Sequence, residues 1–341
     1  MLIGAVLGAF VSIGALAQLA NLAWGLWFTE IFVFLAIPAI ALRQAGRSIW
    51  SVSFASRADF RSMVRGFVIG AINFFAWAMP LMYAAQKIFP KELVDSYDSA
   101  SIFRDQGHIE LAILVTGVSI AAPLCEEFFF RGAIFRGFAT RFTAIRSIAI
   151  SALIFSAFHF DPIGFLARFE MGLLFGFLAW RTQSLWPAVA AHAANNMTST
   201  ALFFVTQGEA VEGDLPWSVP LWMWIIGNAA LIAAMKSNKS TFNMTDVIAD
   251  AEVRIPPLWR IVRPWIAAAA LAVISLIAVD FRGVRLNFFD ALHPLSRSLR
   301  TEELQQMRQK ARSGEIDAGQ YRTLRERLSL EHSPSTHAVD R

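Results

Sequence analysis

The sequence predicts an all-α protein: a polytopic membrane helix bundle of about eight or nine transmembrane helices, with a short polar helical tail at its C-terminus. Three observations predict it. Of the 341 residues, 56% are hydrophobic and only 16% charged, whereas a soluble domain is nearer a quarter charged. The mean hydropathy is +0.49. The apolar residues also gather into runs long enough to cross a bilayer, for which a helix needs about 20 of them. Such a chain has too little polar surface to dress a water-facing globule. The same numbers exclude disordered, collagen-like and disulfide-scaffold classes. Cys125 is the single cysteine, so neither an intramolecular disulfide nor a thiolate zinc site can form.

Nine runs are candidate spans: residues 2–19, 26–42, 63–85, 110–140, 144–160, 163–180, 186–205, 219–235 and 261–279. The first has no basic segment before it and is followed at once by another apolar run, so it reads as a retained span and not a cleaved leader. The fourth is long for one crossing and is expected to tilt or to begin with an interfacial turn. Basic residues cluster in short loops between the runs, as Arg43, Arg47, Arg57 and Arg61, then Arg136, Arg141 and Arg146, then Arg181, then Lys236 and Lys239. The loop after the seventh run holds Glu209, Glu212 and Asp214 and no basic residue. One alternation satisfies these loops, with the N-terminus and the ends of even-numbered spans in the cytoplasm. The loop after the third run, with Lys87, Lys91 and Arg104 among acids, is the noisy case. This distribution is that of membrane loops, and no nucleic-acid partner is expected.

The tail, residues 281–341, is polar. Residues 301–312 and 318–330 read as two helices around Ser313 and Gly314, with Leu304, Met307, Tyr321, Leu324 and Leu328 as a thin apolar stripe. A small hairpin is expected, either a stabilising appendage or a surface for an unknown protein. Nine crossings place it outside, against its many arginines. Either the ninth run is no true span, or a long tail crosses regardless of charge.

Ionisable groups within spans are costly and mark function. The fourth run contains Cys125-Glu126-Glu127-Phe128-Phe129-Phe130-Arg131, the fifth Phe155-Ser156-Ala157-Phe158-His159, and the seventh His192-Ala193-Ala194-Asn195-Asn196. Residues four apart share a helix face. Glu127 and Arg131 can therefore neutralise each other, while Glu126 points elsewhere with no intrahelical partner, as a general base would. His192 and Asn196 share a face too. By helical rise, Glu126 lies about 22 Å from Arg141, His159 about 20 Å from Arg146 and His192 about 16 Å from Arg181. All three arginines mark the cytoplasmic boundary, so three helices carry polar groups to a similar level inside the membrane. Each group alone has a plain structural reading: an ion pair for Glu127 and Arg131, interhelical hydrogen bonds for the histidines, packing for Asn195, Asn196 and Phe155. Together they point to a site. Snorkelling explains Arg168 best, and Gly172 with Gly176 reads as a helix-packing face. Pro123 is expected to free the Ser119 carbonyl, and reads either as a kink beside the site or as a tolerated membrane proline. A Cys125 nucleophile is disfavoured, since a thiol in apolar surroundings is inert.

Glu126-Glu127-x-x-x-Arg131, Phe155-x-x-x-His159 and His192-x-x-x-Asn196 resemble the three ordered motifs of the CPBP family, the CAAX-type intramembrane endopeptidases and bacteriocin-immunity proteins also called the Abi family. The stretch from Gly172 to Gly176 and on through Arg181 to Pro187 is similar as well. The resemblance covers about residues 110–206 and implies a glutamate-dependent protease in a cavity open to the cytoplasm. It implies that Glu126 and His159 hold and activate a water and that His192 and Asn196 stabilise the oxyanion. Glu127 and Arg131 would support the site, and Phe155 would shape its wall. The chain is thus expected to comprise N-terminal helices (1–109), a catalytic core (110–206), C-terminal helices (207–280) and the tail (281–341). The expected substrate is a membrane-embedded or lipidated peptide or protein, in the inner membrane if the source is bacterial. No cofactor is favoured; zinc held by Glu126, His159 and His192 is the alternative. A non-catalytic binding or immunity-type protein using the same cavity is the second reading, and a proton-coupled transporter the third.

Overall fold

The computed structural model describes residues 2–53, 59–90, 93–94, 97, 102–104, 106–206, 218–236, 274 and 302–331. Every regular element among them is helical. α1 (Leu2–Ala20), α2 (Leu22–Gln44), α3 (Phe60–Ile88) and α4 (His108–Ala139) are each long and apolar enough to cross a membrane. α5 (Ala144–Ala157) is apolar but has only 14 residues. α6 (Phe165–Thr182) and α7 (Trp186–Val205) have 18 and 20 residues. Arg168, Glu170 and Arg181 interrupt the first of these, His192, Asn195 and Asn196 the second. α8 spans Ser218–Lys236. The first eight expected runs are therefore helices, four of which have full spanning character. The ninth run, 261–279, lies outside the described residues apart from Ile274, as do Glu209, Glu212 and Asp214.

Local chemistry sets the helix ends. Asn21 is extended and accepts a hydrogen bond from the Trp24 backbone N–H, which breaks α1 from α2 and caps the latter. Asp59 caps α3 by accepting from Arg61 N, Ser62 N and the Ser62 hydroxyl. The hydroxyl bond leads in holding its carboxyl below the ordinary carboxylate range. Wide π-helical turns over Thr29–Ala36, Phe74–Ala78 and Gly117–Ala121 run directly up to the turns holding Pro38, Pro80 and Pro123. A proline offers no N–H to the carbonyl four residues back, and the hydrogen-bond ladder widens around the gap. Pro123 is thus accommodated by a wide turn in a continuous helix.

α4 runs through the centre. Phe128, Phe129, Phe130 and Phe135 are all buried. Phe129 and Phe130 pack with Phe34 of α2, with Phe158, and, for Phe130, with Phe155 of α5. α3 lies against α7 at two glycines: a Cβ on Gly66 or Gly70 would run into the backbone of Pro187 or Ala191. Gly172 and Gly176 seat α6 on Ala152 and Ile148 of α5, the packing face that their spacing predicts. In the tail, α9 (Glu302–Ser313) and α10 (Ala318–Glu331) close on Ala311 and Tyr321, with Met307 and Ile316 beside them. Gly314 makes the turn in a left-handed conformation, φ 86°.

Candidate active site

α4 supplies three side chains. Glu127 and Arg131 are fully buried and paired, with Arg131 Nη1 2.8 Å from Glu127 Oε1. Arg131 Nη2 also donates to the Gly172 carbonyl at 2.9 Å, which ties α4 to α6. The guanidinium lies over the Phe155 ring, 4.7 Å from its centroid, and 5.4 Å from that of Phe175. This flat apolar bed suits a weakly hydrated planar cation.

α7 supplies His192, which is buried. Its Nδ1 is 3.0 Å from Glu127 Oε1, and its Nε2 is 3.9 Å from Glu126 Oε2. The ring stacks on Phe175 at 4.8 Å and meets the Phe155 edge at 5.6 Å. The carboxylate that takes Arg131 also takes the imidazole. A carboxylate only accepts, so Nδ1 carries the hydrogen and the second nitrogen is turned to Glu126. Glu126 itself is 9% exposed, and its Oε2 is buried with no hydrogen-bond partner.

His159 lies beyond the end of α5, since the helix stops at Ala157. It was expected inside a helical run to 160; the chain instead turns there, with Phe160 left-handed at φ 50°. His159 Nδ1 is 2.9 Å from the Phe155 carbonyl oxygen, and its ring is 5.0 Å from that of Phe155. The imidazole is exposed. Phe155 thus touches both histidine rings and Arg131. Asn196 does share a face with His192, both turned to α4. Its Nδ2 donates to the Val118 carbonyl at 2.9 Å, which commits one of the two N–H groups assigned to an oxyanion.

Glu126, Glu127, Arg131, His192 and Phe155 therefore form one contact network. His159 joins it through the Phe155 ring, and Asn196 stands one turn along α7. Among the described residues no three His, Cys, Asp or Glu side chains are gathered to hold a metal ion, so Glu126, His159 and His192 are not placed as a ligand set.

Sequence reasoning missed several neighbours. Glu30 of α2 is 2% exposed with its Oε2 unpartnered, and it acts electrostatically on Glu126 and Cys125. An acid inside the apolar run 26–42 was the available signal. Asn73 donates to Glu170 Oε2 at 3.0 Å. Arg168 does not snorkel; it is paired with Asp161, Nη1 to Oδ2 at 2.5 Å.

A family model described as Type II CAAX prenyl endopeptidase Rce1-like matches residues 108–198. No curated protein and no solved structure matches the chain. The matched residues run from the start of α4 to past Asn196 and so contain all three motifs. Buried carboxylates and an imidazole meeting inside an apolar helical bundle are in keeping with that match, and over residues 108–198 the chain is similar to the Rce1-like type II CAAX prenyl endopeptidases.

Proposed function

We propose that this protein is an intramembrane endopeptidase in which Glu126 activates a water to hydrolyse a peptide bond of a membrane-held, lipidated CAAX-type substrate. The observation that carries the reading is the chain Arg131–Glu127–His192–Glu126, with His192 Nε2 3.9 Å from Glu126 Oε2. That gap exceeds a direct hydrogen bond but can be bridged by one water at about 2.8 Å from each atom. Glu126 takes a proton from the water as its oxygen attacks the scissile carbonyl. The proton then passes to the departing amine nitrogen. His159 spends its Nδ1–H on the Phe155 carbonyl, so its Nε2 lone pair is free to accept the water's second hydrogen when His192 Nε2 is protonated and donates to that water.

The developing oxyanion needs donors. Asn196 has its second Nδ2–H for this. His192 can donate through Nε2 only when that atom is protonated, because Nδ1–H is engaged by Glu127. Glu127, itself paired with Arg131, compensates such an imidazolium. Glu127 is thus a positioning residue that sets the tautomer of His192. A substrate anchored by its lipid keeps its chain in the bilayer while its peptide reaches the cavity.

The test compares membranes holding wild type with membranes holding Glu126→Gln or His159→Ala by N-terminal proteomics, and then the purified proteins in nanodiscs. New substrate termini are expected with wild type only, with cleavage reduced about 10²- to 10⁴-fold in either variant. Full activity in either folded variant defeats the mechanism. A stable complex with no new terminus points to a binding protein instead.

A further inference from the structure

We infer that Asp161 and Arg168 are positioning residues that clamp the α5–α6 turn and thereby fix His159; the inference rests on reading His159 as part of the hydrolytic site. α5 has 14 residues, about 21 Å of helix, well short of a hydrocarbon core of about 30 Å. Its C-terminal turn therefore lies at membrane depth. Irregular backbone there persists only if its polar groups are satisfied by protein or line a cavity.

Asp161 supplies that satisfaction. It is 8% exposed. Its Oδ1 accepts from the backbone N–H of Ile163 at 2.8 Å and of Gly164 at 3.1 Å. Its Oδ2 accepts from Arg168 Nη1 at 2.5 Å. The Ser156 hydroxyl donates to the Phe165 carbonyl at 2.6 Å and stitches the two helices across the turn. Phe158 and Ile163, on either side, are buried. Between these fixed points stand His159 and the left-handed Phe160, a conformation that a non-glycine residue keeps only where its surroundings impose it.

The clamp also faces the site. The Arg168 charge acts on both Glu126 and His159. Gly164 makes room for it: at φ −83° the position tolerates any residue, but a Cβ there would overlap the Arg168 guanidinium and come 2.7 Å from Asp161 Oδ2. Alanine at this position should therefore part the ion pair without deleting either charge. With the turn held, the Phe155 carbonyl can only accept, so His159 exists with hydrogen on Nδ1 and its lone pair on Nε2.

The experiment is ¹⁵N NMR of histidine-labelled, full-length protein in nanodiscs, with the His159 signal identified by His159→Gln and the His192 signal by His192→Gln. Wild type is expected to show one Nδ1–H tautomer at His159. Gly164→Ala and Asp161→Asn are expected to give exchanging tautomers at His159 while the His192 signal stays in place. Arg168→Lys keeps the charge and should retain most of the wild-type signal. In cleavage assays the first two variants should lose about 10- to 100-fold in kcat with KM within about twofold. An unchanged His159 signal in both variants overturns the inference. So does a His192 signal that moves together with His159, since that marks general loosening. If the tautomer shifts as expected but wild type cleaves nothing, the clamp stands and the peptidase reading fails.

Discussion

At the scale of single residues, the fate of one buried cation explains much of the site. Arg131 is 1% exposed, and Glu127 Oε1 answers both it and His192. Removing one partner of such a pair strands the other charge in apolar surroundings, at a cost of about 3–5 kcal/mol. Glu127→Ala is therefore expected to destabilise the protein by about that much in equilibrium unfolding from mixed micelles. The double variant Glu127→Leu with Arg131→Leu should be more stable than Glu127→Ala, because no lone charge remains. Losses that simply add would show that the two residues are not coupled. The spacing of four made this pair legible in the sequence. That His192 completes it was not, since only the packing of α7 on α4 brings Nδ1 to Glu127. Glu30 was legible in principle, as an acid within an apolar run, while Asp161 falls between the runs 144–160 and 163–180, where nothing in the sequence singles it out. What gives Asp161 its meaning is the early end of α5, and neither Phe158 nor His159 announces that stop.

At the scale of elements, the apolar runs gave helix limits close to those observed, because in a bilayer nearly the whole length of a spanning helix must be apolar. The helix contacts were less legible. Gly172 and Gly176 revealed themselves by spacing, and they do seat α6 on α5. Gly66 and Gly70 have the same spacing, and nothing in it names α7 as the partner. They set the closeness of α3 and α7 just before His192, since the atoms facing Gly70 belong to Ala191. Gly70→Ala should force the helices apart and lower stability by about 1–3 kcal/mol, with peptide cleavage falling because His192 moves with its helix. Gly8→Ala is the control: nothing lies within 4 Å of a Cβ there, and alanine is the better helix former by about 1 kcal/mol. It should leave the midpoint unchanged or raise it. Equal losses from both would mean that α3 and α7 do not depend on that close approach.

At the scale of the whole molecule, α4 keeps its spanning character while holding Glu126, Glu127 and Arg131, and the helices that bring partners to it are those that look least like spans. α1 to α4 satisfy length and composition, α5 is too short, and α6 and α7 are diluted by Arg168, Glu170, His192, Asn195 and Asn196. Hydropathy alone therefore undercounts a bundle with a polar interior, and charge in the loops must supply the topology. The arginines predict the α2–α3 and α4–α5 connections in the cytoplasm and the start of α4 on the opposite side. Gly46, Arg141 and Ile109 mark these three places and are all exposed. With Cys125 replaced by Ala, single cysteines at these positions can be challenged in intact cells with a membrane-impermeant maleimide. Ile109→Cys should react, while Gly46→Cys and Arg141→Cys should react only after the cells are opened. The reverse pattern would invert every helix and move the mouth of the site to the other face. A cysteine in place of Glu315, in the exposed turn of the tail hairpin, then counts the crossings: protection equal to that of Arg141→Cys means an even number between them and the tail, and reactivity like that of Ile109→Cys means that residues 261–279 do cross.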